Sequence, residues 1–267
     1  LIFAYAVVVF IAGLVAGFVI NVVATRLAAD RPFFGPMRCT RSPHPITLLQ
    51  AMPLVGYLSQ GGRCSTCGKR LSFSYPLVET TTAVLFVGQF LVDGWGLAYL
   101  FHALYIIFLM LVLVVDWKHR DIYLTVIAVG SAIALGGSLL LPSVSVLGAV
   151  AAAAVAGGFF ALAYILAKLI FPKIEEPLGA GDVLLALMMG LMLGFPNIVG
   201  ALLVGPLIAG AAAILLLVSR RSKFGDFMPY GVALCASAIL FIVYPTPFAD
   251  ALHLPALAQA VSGFFGK

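Results

Sequence analysis

Charge is scarce in this chain. Lysine, arginine, aspartate and glutamate together make up 9% of its 267 residues, and only 10 residues are acidic. A soluble globular domain carries about 25% charged residues, so a fold that faces water on all sides is excluded. Cysteine is also sparse, 4 in all, which excludes the disulfide-dense scaffold of a small secreted domain. The sequence lacks the roughly ten-residue alternating segments of an outer-membrane barrel. What it has instead is apolar sequence, 63% of residues, in runs near twenty long. Runs of that length cross a bilayer as helices, which satisfy their own backbone groups. The expected fold class is an all-α polytopic membrane protein whose first partner is the lipid bilayer. The formal charge of +5 does not point to nucleic acid, because the cations lie in loops and at span ends, where they report topology.

About eight spans are expected, at 3–25, 76–92, 97–115, 122–141, 146–171, 182–195, 198–218 and 228–246. The first lacks a basic leader region and an Ala-x-Ala cleavage site, so it reads as a retained helix rather than a signal peptide. Arg26, Arg31, Arg38, Arg41, Arg63, Lys69 and Arg70 fall in the first long loop. Lys118, His119 and Arg120 form the next basic turn, followed by Lys168 and Lys173, then Arg220, Arg221 and Lys223. The intervening links at 93–96, 142–145 and 195–197 carry no Lys or Arg. The bias places the basic loops in the cytoplasm and both termini outside. The expected organisation is a first transmembrane helix at 1–25 and a cytoplasmic cysteine-loop domain at 26–75. A membrane domain follows at 76–246, then an interfacial tail at 247–267, where Leu252, Leu254, Leu257, Val261 and Phe264 recur at helical spacing. Nothing in the sequence fixes an oligomeric state.

Two acids stand out against this background. Asp116 ends the apolar run 101–115, and Asp182 ends Gly179-Ala180-Gly181-Asp182, just before another apolar run. A carboxylate in a bilayer costs about 2.5–3.5 kcal/mol on insertion scales. The topology puts both acids on the cytoplasmic side, one closing an outward-to-inward helix and one opening a return helix. Two carboxyls brought close share a proton: the ionised one can activate water while the protonated one polarises a peptide carbonyl. Gly179 and Gly181 suit a backbone that bends sharply and lets a substrate strand approach. Taken singly, Asp182 also reads as a helix cap and Asp116 as an interfacial charge. Gly157, Gly158, Gly190 and Gly194 add small residues to the later spans, and the last two are spaced for close helix packing.

Three of the cysteines, Cys39, Cys64 and Cys67, share the one long polar loop. Cys64-x-x-Cys67 has the spacing of half a zinc knuckle, and His44 offers a fourth ligand of the right type. A disulfide is not expected among cysteines facing a reducing cytosol. Cys235, in an apolar run, reads as buried packing.

In their order along the chain these motifs resemble the type IV prepilin peptidases, a family of GxGD intramembrane aspartyl proteases. The resemblance rests on Gly179-Ala180-Gly181-Asp182 followed by Leu185, Ala186, Gly190 and Gly194, and on Val115-Asp116 followed by Ile122. It rests also on Gly62-Arg63-Cys64-Ser65-Thr66-Cys67-Gly68, on Ser74-Tyr75-Pro76-Leu77-Val78-Glu79, and on Met228-Pro229-Tyr230-Gly231. It implies an endopeptidase that removes the short basic leader from type IV prepilins or pseudopilins at the cytoplasmic face of a bacterial inner membrane. Asp116 and Asp182 would be its catalytic pair, supported by Gly179, Gly181 and Glu176, with no metal in the protease site. It also implies N-methylation of the new terminus with S-adenosylmethionine, an activity associated with the cysteine loop and with Glu79. Three departures are visible: Ser42 stands where a second Cys-x-x-Cys would end, Leu184 where a lysine is usual, and Tyr123 in place of a common proline. Glu175, Glu176 and Asp121 would attract a basic leader. A different reading of the same acids is a proton- or cation-coupled transporter. A third is a presenilin-like protease, against which no Tyr-Asp pair occurs in any span.

Overall fold

The structure, a computed structural model, describes residues 2–32, 35, 36, 39, 42, 44, 45, 47, 50, 52–141, 145–170, 172, 179–219 and 230–244. It divides into two compact units, Leu1–Trp95 and Gly96–Lys267. Among the described residues there are nine helices and no strand, with one isolated bridge between Arg63 and Arg70.

The first unit is built on two helices, α1 (Ile2–Leu27) and α3 (Ser74–Asp93), with a short α2 (Val55–Ser59) in the loop between them. Neither Gly13 nor Gly17 of α1 could carry a side chain. A Cβ at Gly13 would stand 2.5 Å from the Cα of Ala83, and one at Gly17 would stand 2.5 Å from the Cα of Glu79. The two backbones therefore touch along a small-residue seam, the way helices associate where lipid offers no hydrophobic drive. The other faces of α1 expose Phe3, Val8, Ile11 and Val15, as a lipid-facing surface requires. At one end Tyr5, Phe90 and Trp95 stack edgewise, with centroids 5.9 Å apart for Tyr5–Trp95 and 5.2 Å for Phe90–Trp95.

The second unit has six helices: α4 (Leu97–His119), α5 (Leu124–Leu140), α6 (Val146–Ile170), α7 (Ala180–Leu193), α8 (Asn197–Val218) and α9 (Tyr230–Val243). The core is α7, which packs against α5 and α6 and touches α9. Its Leu185, Met188 and Met189 are wholly buried. A Cβ at Gly190 would collide with the backbone of Ala153, and one at Gly157 with the side chain of Leu187, so α6 and α7 meet on small residues from both sides. Gly194 is not part of that face. It is the C-cap of α7 at φ 60°, a left-handed conformation that glycine adopts without strain.

Each expected span coincides with an apolar helix. Five are long enough to cross a bilayer, and α5, α7 and α9 are shorter. At 14 residues each, α7 and α9 are about 21 Å long, against roughly 30 Å of hydrocarbon. Burial against neighbours explains how α7 tolerates this. The expected tail at 247–267 lies outside the described residues.

Candidate active site and metal cluster

Three helix ends converge at one end of the second unit: the C-terminus of α4, and the N-termini of α7 and α9. Helix α4 runs four residues past the expected end of its span, so Asp116 lies inside its last turn. There its carbonyl accepts the N–H of Arg120, 2.9 Å away, whose φ of 56° closes the helix. Asp182 is the third residue of α7. The cap position is held by extended Gly179, with no side-chain capping bond, so Asp182 does not serve as the cap. Instead its own N–H donates to the Gly179 carbonyl at 3.1 Å.

The two carboxyls meet over Gly231. A Cβ built there would lie 2.7 Å from Oδ2 of Asp116 and 3.5 Å from Oδ1 of Asp182. These two oxygens are therefore no more than 6.2 Å apart, the sum of the two distances. The N–H of Val232 donates to Oδ2 of Asp116 at 2.9 Å, which orients that carboxylate with a free amide of a helix N-terminus. Tyr230 anchors the start of α9 by packing on Phe160 of α6, ring centroids 5.9 Å apart. Both aspartates are buried, at 6% and 8% exposure, a placement in which unpaired carboxylates are rare.

The glycines of the Gly-Ala-Gly-Asp turn have different tasks. A Cβ at Gly179 would sit 3.3 Å from Oδ2 of Asp182. One at Gly181 would sit 2.9 Å from Cβ of Ile122, in the turn between α4 and α5. That contact draws the start of α7 against the segment that follows Asp116. Overpacking a tight site costs about 1–3 kcal/mol, so Gly181→Ala should lower the thermal unfolding temperature. An unchanged melting curve would show that the contact does not set the position of α7.

In the first unit Cys39, His44, Cys64 and Cys67 come together, with one ligand atom from each lying within 4.8 Å of all the others. His44, and not Ser42, is the fourth member of this cluster. Nε2 of His44 is 3.3 Å from Sγ of Cys64, and the sulfurs of Cys39 and Cys67 are 4.0 Å apart. The turn is closed by the Gly68 N–H donating to the Cys64 carbonyl at 2.7 Å, with Gly68 at φ 68°. Backbone hydrogen bonds from Cys67, and then Thr66, together with the side chain of His44, outweigh burial and bring the Cys64 thiol down to about 6. At neutral pH it is then a thiolate, the form that binds metal.

Glu79 is buried on α3, near the cysteine loop. Its Oε2 accepts the N–H of Leu54 at 2.7 Å, and its Oε1 lies 3.5 Å from Nδ2 of Asn21. Asn21, a polar residue inside the first apolar span, escaped the sequence reading, although an amide in such a span is itself a signal. The sequence reading also assigned no role to Gly231 beyond its motif. Cys235 is fully buried, as expected. Asp121 is exposed at the turn after α4. Glu175, Glu176, Met228 and Pro229 lie outside the described residues.

The Bacterial Peptidase A24 N-terminal domain matches residues 11–92, and the Type IV leader peptidase family matches residues 103–215. The chain is similar to proteins named prepilin leader peptidase/N-methyltransferase from several bacteria. The protein from Aeromonas salmonicida (strain A449) is 31% identical over 216 residues, 77% of this chain and 70% of the relative. That from Bacillus subtilis (strain 168) is 27% identical over 242 residues, 89% of this chain and 93% of the relative. That from Myxococcus xanthus (strain DK1622) is 30% identical over 217 residues, 80% of this chain but only 64% of the relative's length. No solved structure matches the chain. With both halves matched and the order of motifs intact, the chain belongs to the type IV leader peptidase family.

Proposed function

We propose that the chain is an intramembrane aspartic endopeptidase with Asp116 and Asp182 as its catalytic pair. It would remove the short basic leader of a type IV prepilin or pseudopilin at the cytoplasmic face of the inner membrane. The observation that carries this reading is the approach of the two buried carboxyls across Gly231. In this mechanism one carboxylate takes a proton from water as the water oxygen attacks the scissile carbonyl. The other carboxyl hydrogen-bonds to the carbonyl oxygen and stabilises the charge that develops there. Collapse of the tetrahedral intermediate breaks the C–N bond, and a proton from the dyad passes to the leaving nitrogen. Burial holds both carboxyls in place, and the Val232 amide keeps Asp116 from rotating.

The remaining parts of the reading follow the same topology. The N-terminus would lie outside, with the cysteine loop and the catalytic ends of α4, α7 and α9 in or near the cytoplasm. The segment 26–75 would act as a cytoplasmic domain and 76–246 as the protease domain, with Glu176, three residues before Gly179 in the sequence, helping to attract the basic leader. The transporter alternative gains no support from the family match.

The donor set of Cys39, His44, Cys64 and Cys67 suits tetrahedral zinc, which would tie the polar loop together with no part in hydrolysis. Purified protein is expected to hold about one equivalent of zinc, and Cys64→Ser to hold much less, measured by plasma mass spectrometry. Equal zinc in both proteins would remove the cluster as the site. The relatives' shared name also supports N-methylation of the new terminus, for which S-adenosylmethionine would supply an electrophilic methyl group.

A further inference from the structure

The polar loop of the first unit ends in a hairpin that brings two like charges together. Arg63 and Arg70 face each other as an antiparallel bridge. On either side, the Cys64 N–H donates to the Lys69 carbonyl and the Leu71 N–H to the Gly62 carbonyl, each at 2.9 Å. That pattern makes Arg63 and Arg70 a non-hydrogen-bonded pair, with Cα atoms about 4.5 Å apart and side chains close. Like charges directly opposite each other are destabilising. Both arginines are exposed, and neither has an ion-pair partner among the described residues. The loop offers little to pair with them: segment 26–75 carries seven Lys and Arg residues and one acid, Asp30. Glu79 is buried, and Asp93 lies at the far end of α3. Two guanidiniums held side by side present donors that the several oxygens of a phosphate satisfy.

We infer that Arg63 and Arg70 bind the phosphate of an anionic phospholipid and so dock the cysteine hairpin on the membrane surface. The inference rests on the proposed topology, in which this loop is cytoplasmic and faces a leaflet made negative by anionic lipid. The depth of the hairpin follows from α3. Phe73, Leu77, Val84 and Leu91 fall on one line of that helix, and all are exposed, Phe73 by 66%. Phe73 has helical φ and ψ and its carbonyl accepts the Leu77 N–H at 3.3 Å, so it belongs to the line. From Phe73 to Leu91 the stripe is about 27 Å long, close to the roughly 30 Å of bilayer hydrocarbon. Phe73 then marks the hydrocarbon edge. The Cα of Arg70, three residues earlier, lies within about 11 Å of that of Phe73. The headgroup layer is about 5–8 Å deep on each side, and the long arginine stem closes the remaining gap. The segment before the hairpin is also built for an interface. The Tyr57 carbonyl accepts the Gly62 N–H at 3.0 Å and the Gln60 carbonyl accepts the Arg63 N–H at 3.1 Å, so α2 leads straight into the hairpin. Its Val55 and Leu58 are exposed, as is Met52 before it. Apolar side chains beside cations are what a segment lying in the interface presents. Phosphatidylcholine fits less well, because its choline adds a cation to a patch already in excess of positive charge.

The test titrates the full chain, purified in detergent, with phosphatidylglycerol or phosphatidylcholine and counts bound lipid by native mass spectrometry. One phosphatidylglycerol should bind at least about tenfold more tightly than phosphatidylcholine. In Arg63→Gln/Arg70→Gln the preference should fall below about twofold. Arg63→Lys/Arg70→Lys, which keeps the charge but loses the planar fork, should fall between the two. A second reading needs no variant. In nanodiscs, amides of the peptide 62–71 should exchange with solvent at least about threefold more slowly in phosphatidylglycerol than in phosphatidylcholine. Equal binding of the two lipids by the unaltered protein would overturn the inference, as would a preference that survives intact in the glutamine variant or exchange that ignores the lipid. Release of the lipid by millimolar inorganic phosphate would make the pair a free-anion site and overturn it. Release by an acidic peptide at equal concentration would make it a protein-docking site, with the same consequence. Unaltered protein that prefers phosphatidylglycerol but leaves a leader uncut would count against the protease reading alone.

Discussion

Gly231→Ala is expected to cut leader removal about 100-fold while leaving the chain folded. The added methyl group would stand 2.7 Å from Oδ2 of Asp116 and 3.5 Å from Oδ1 of Asp182. Both neighbours are tips of side chains rather than backbone, so relief needs no backbone shift: the Asp116 carboxylate swings away. Alanine also favours the first turn of α9 more than glycine does, by up to about 1 kcal/mol, against a cost of about 1–3 kcal/mol for the hydrogen bond lost at a buried carboxylate. The chain should therefore stay folded, with a melting temperature near or modestly below that of the unaltered protein, as activity falls. Catalysis does not share that tolerance, because displacing a catalytic group by about 1 Å can cost 10²-fold. Swinging away also gives up the Val232 amide at 2.9 Å. The check is a cleavage rate and a melting curve on the same preparation. Loss of both together would make Gly231 a packing residue only, and retention of full activity would show that the carboxyls need not meet across it.

Asp116→Asn and Asp182→Asn are each expected to slow cleavage by about 10³-fold or more, because a positioned acid or base contributes 10²–10⁴-fold and the dyad works as a unit. For the same reason the double variant should be little worse than either single one. Asparagine keeps the shape of the side chain, and at Asp116 it keeps an acceptor for the Val232 N–H, so folding should survive. Steady-state cleavage of a purified prepilin in detergent measures the effect. Two independent, multiplying losses would point to two separate roles rather than one shared water.

Much of this architecture was legible in the sequence because bilayers make simple demands. Helices of about twenty apolar residues and basic loops announce themselves, and the two acids were conspicuous because so little else is charged. Their partners were less visible. Gly231 is 115 residues from Asp116, and no periodicity within α9 says which helix end its first turn will face. The seam of Gly13 and Gly17 was hidden for a related reason. In lipid every face of α1 is apolar, so the pattern that marks a buried stripe in water carries no contrast, and only the size of the residues hints at a contact. The fourth member of the cysteine cluster was readable as a ligand type, His44, but its arrival within 4.8 Å of three sulfurs depends on a loop path that spacing does not encode. Asn21 was readable in principle and overlooked, since one amide in a 26-residue apolar helix is as much a signal as either aspartate.

The intact mass of a prepilin co-expressed with this chain tests the central claim most directly. With the unaltered protein, the account predicts a pilin shortened by its basic leader. With Asp116→Asn and Asp182→Asn combined, in a chain recovered at normal levels from the membrane, it predicts the full-length prepilin. A shortened pilin made by that double variant would contradict it.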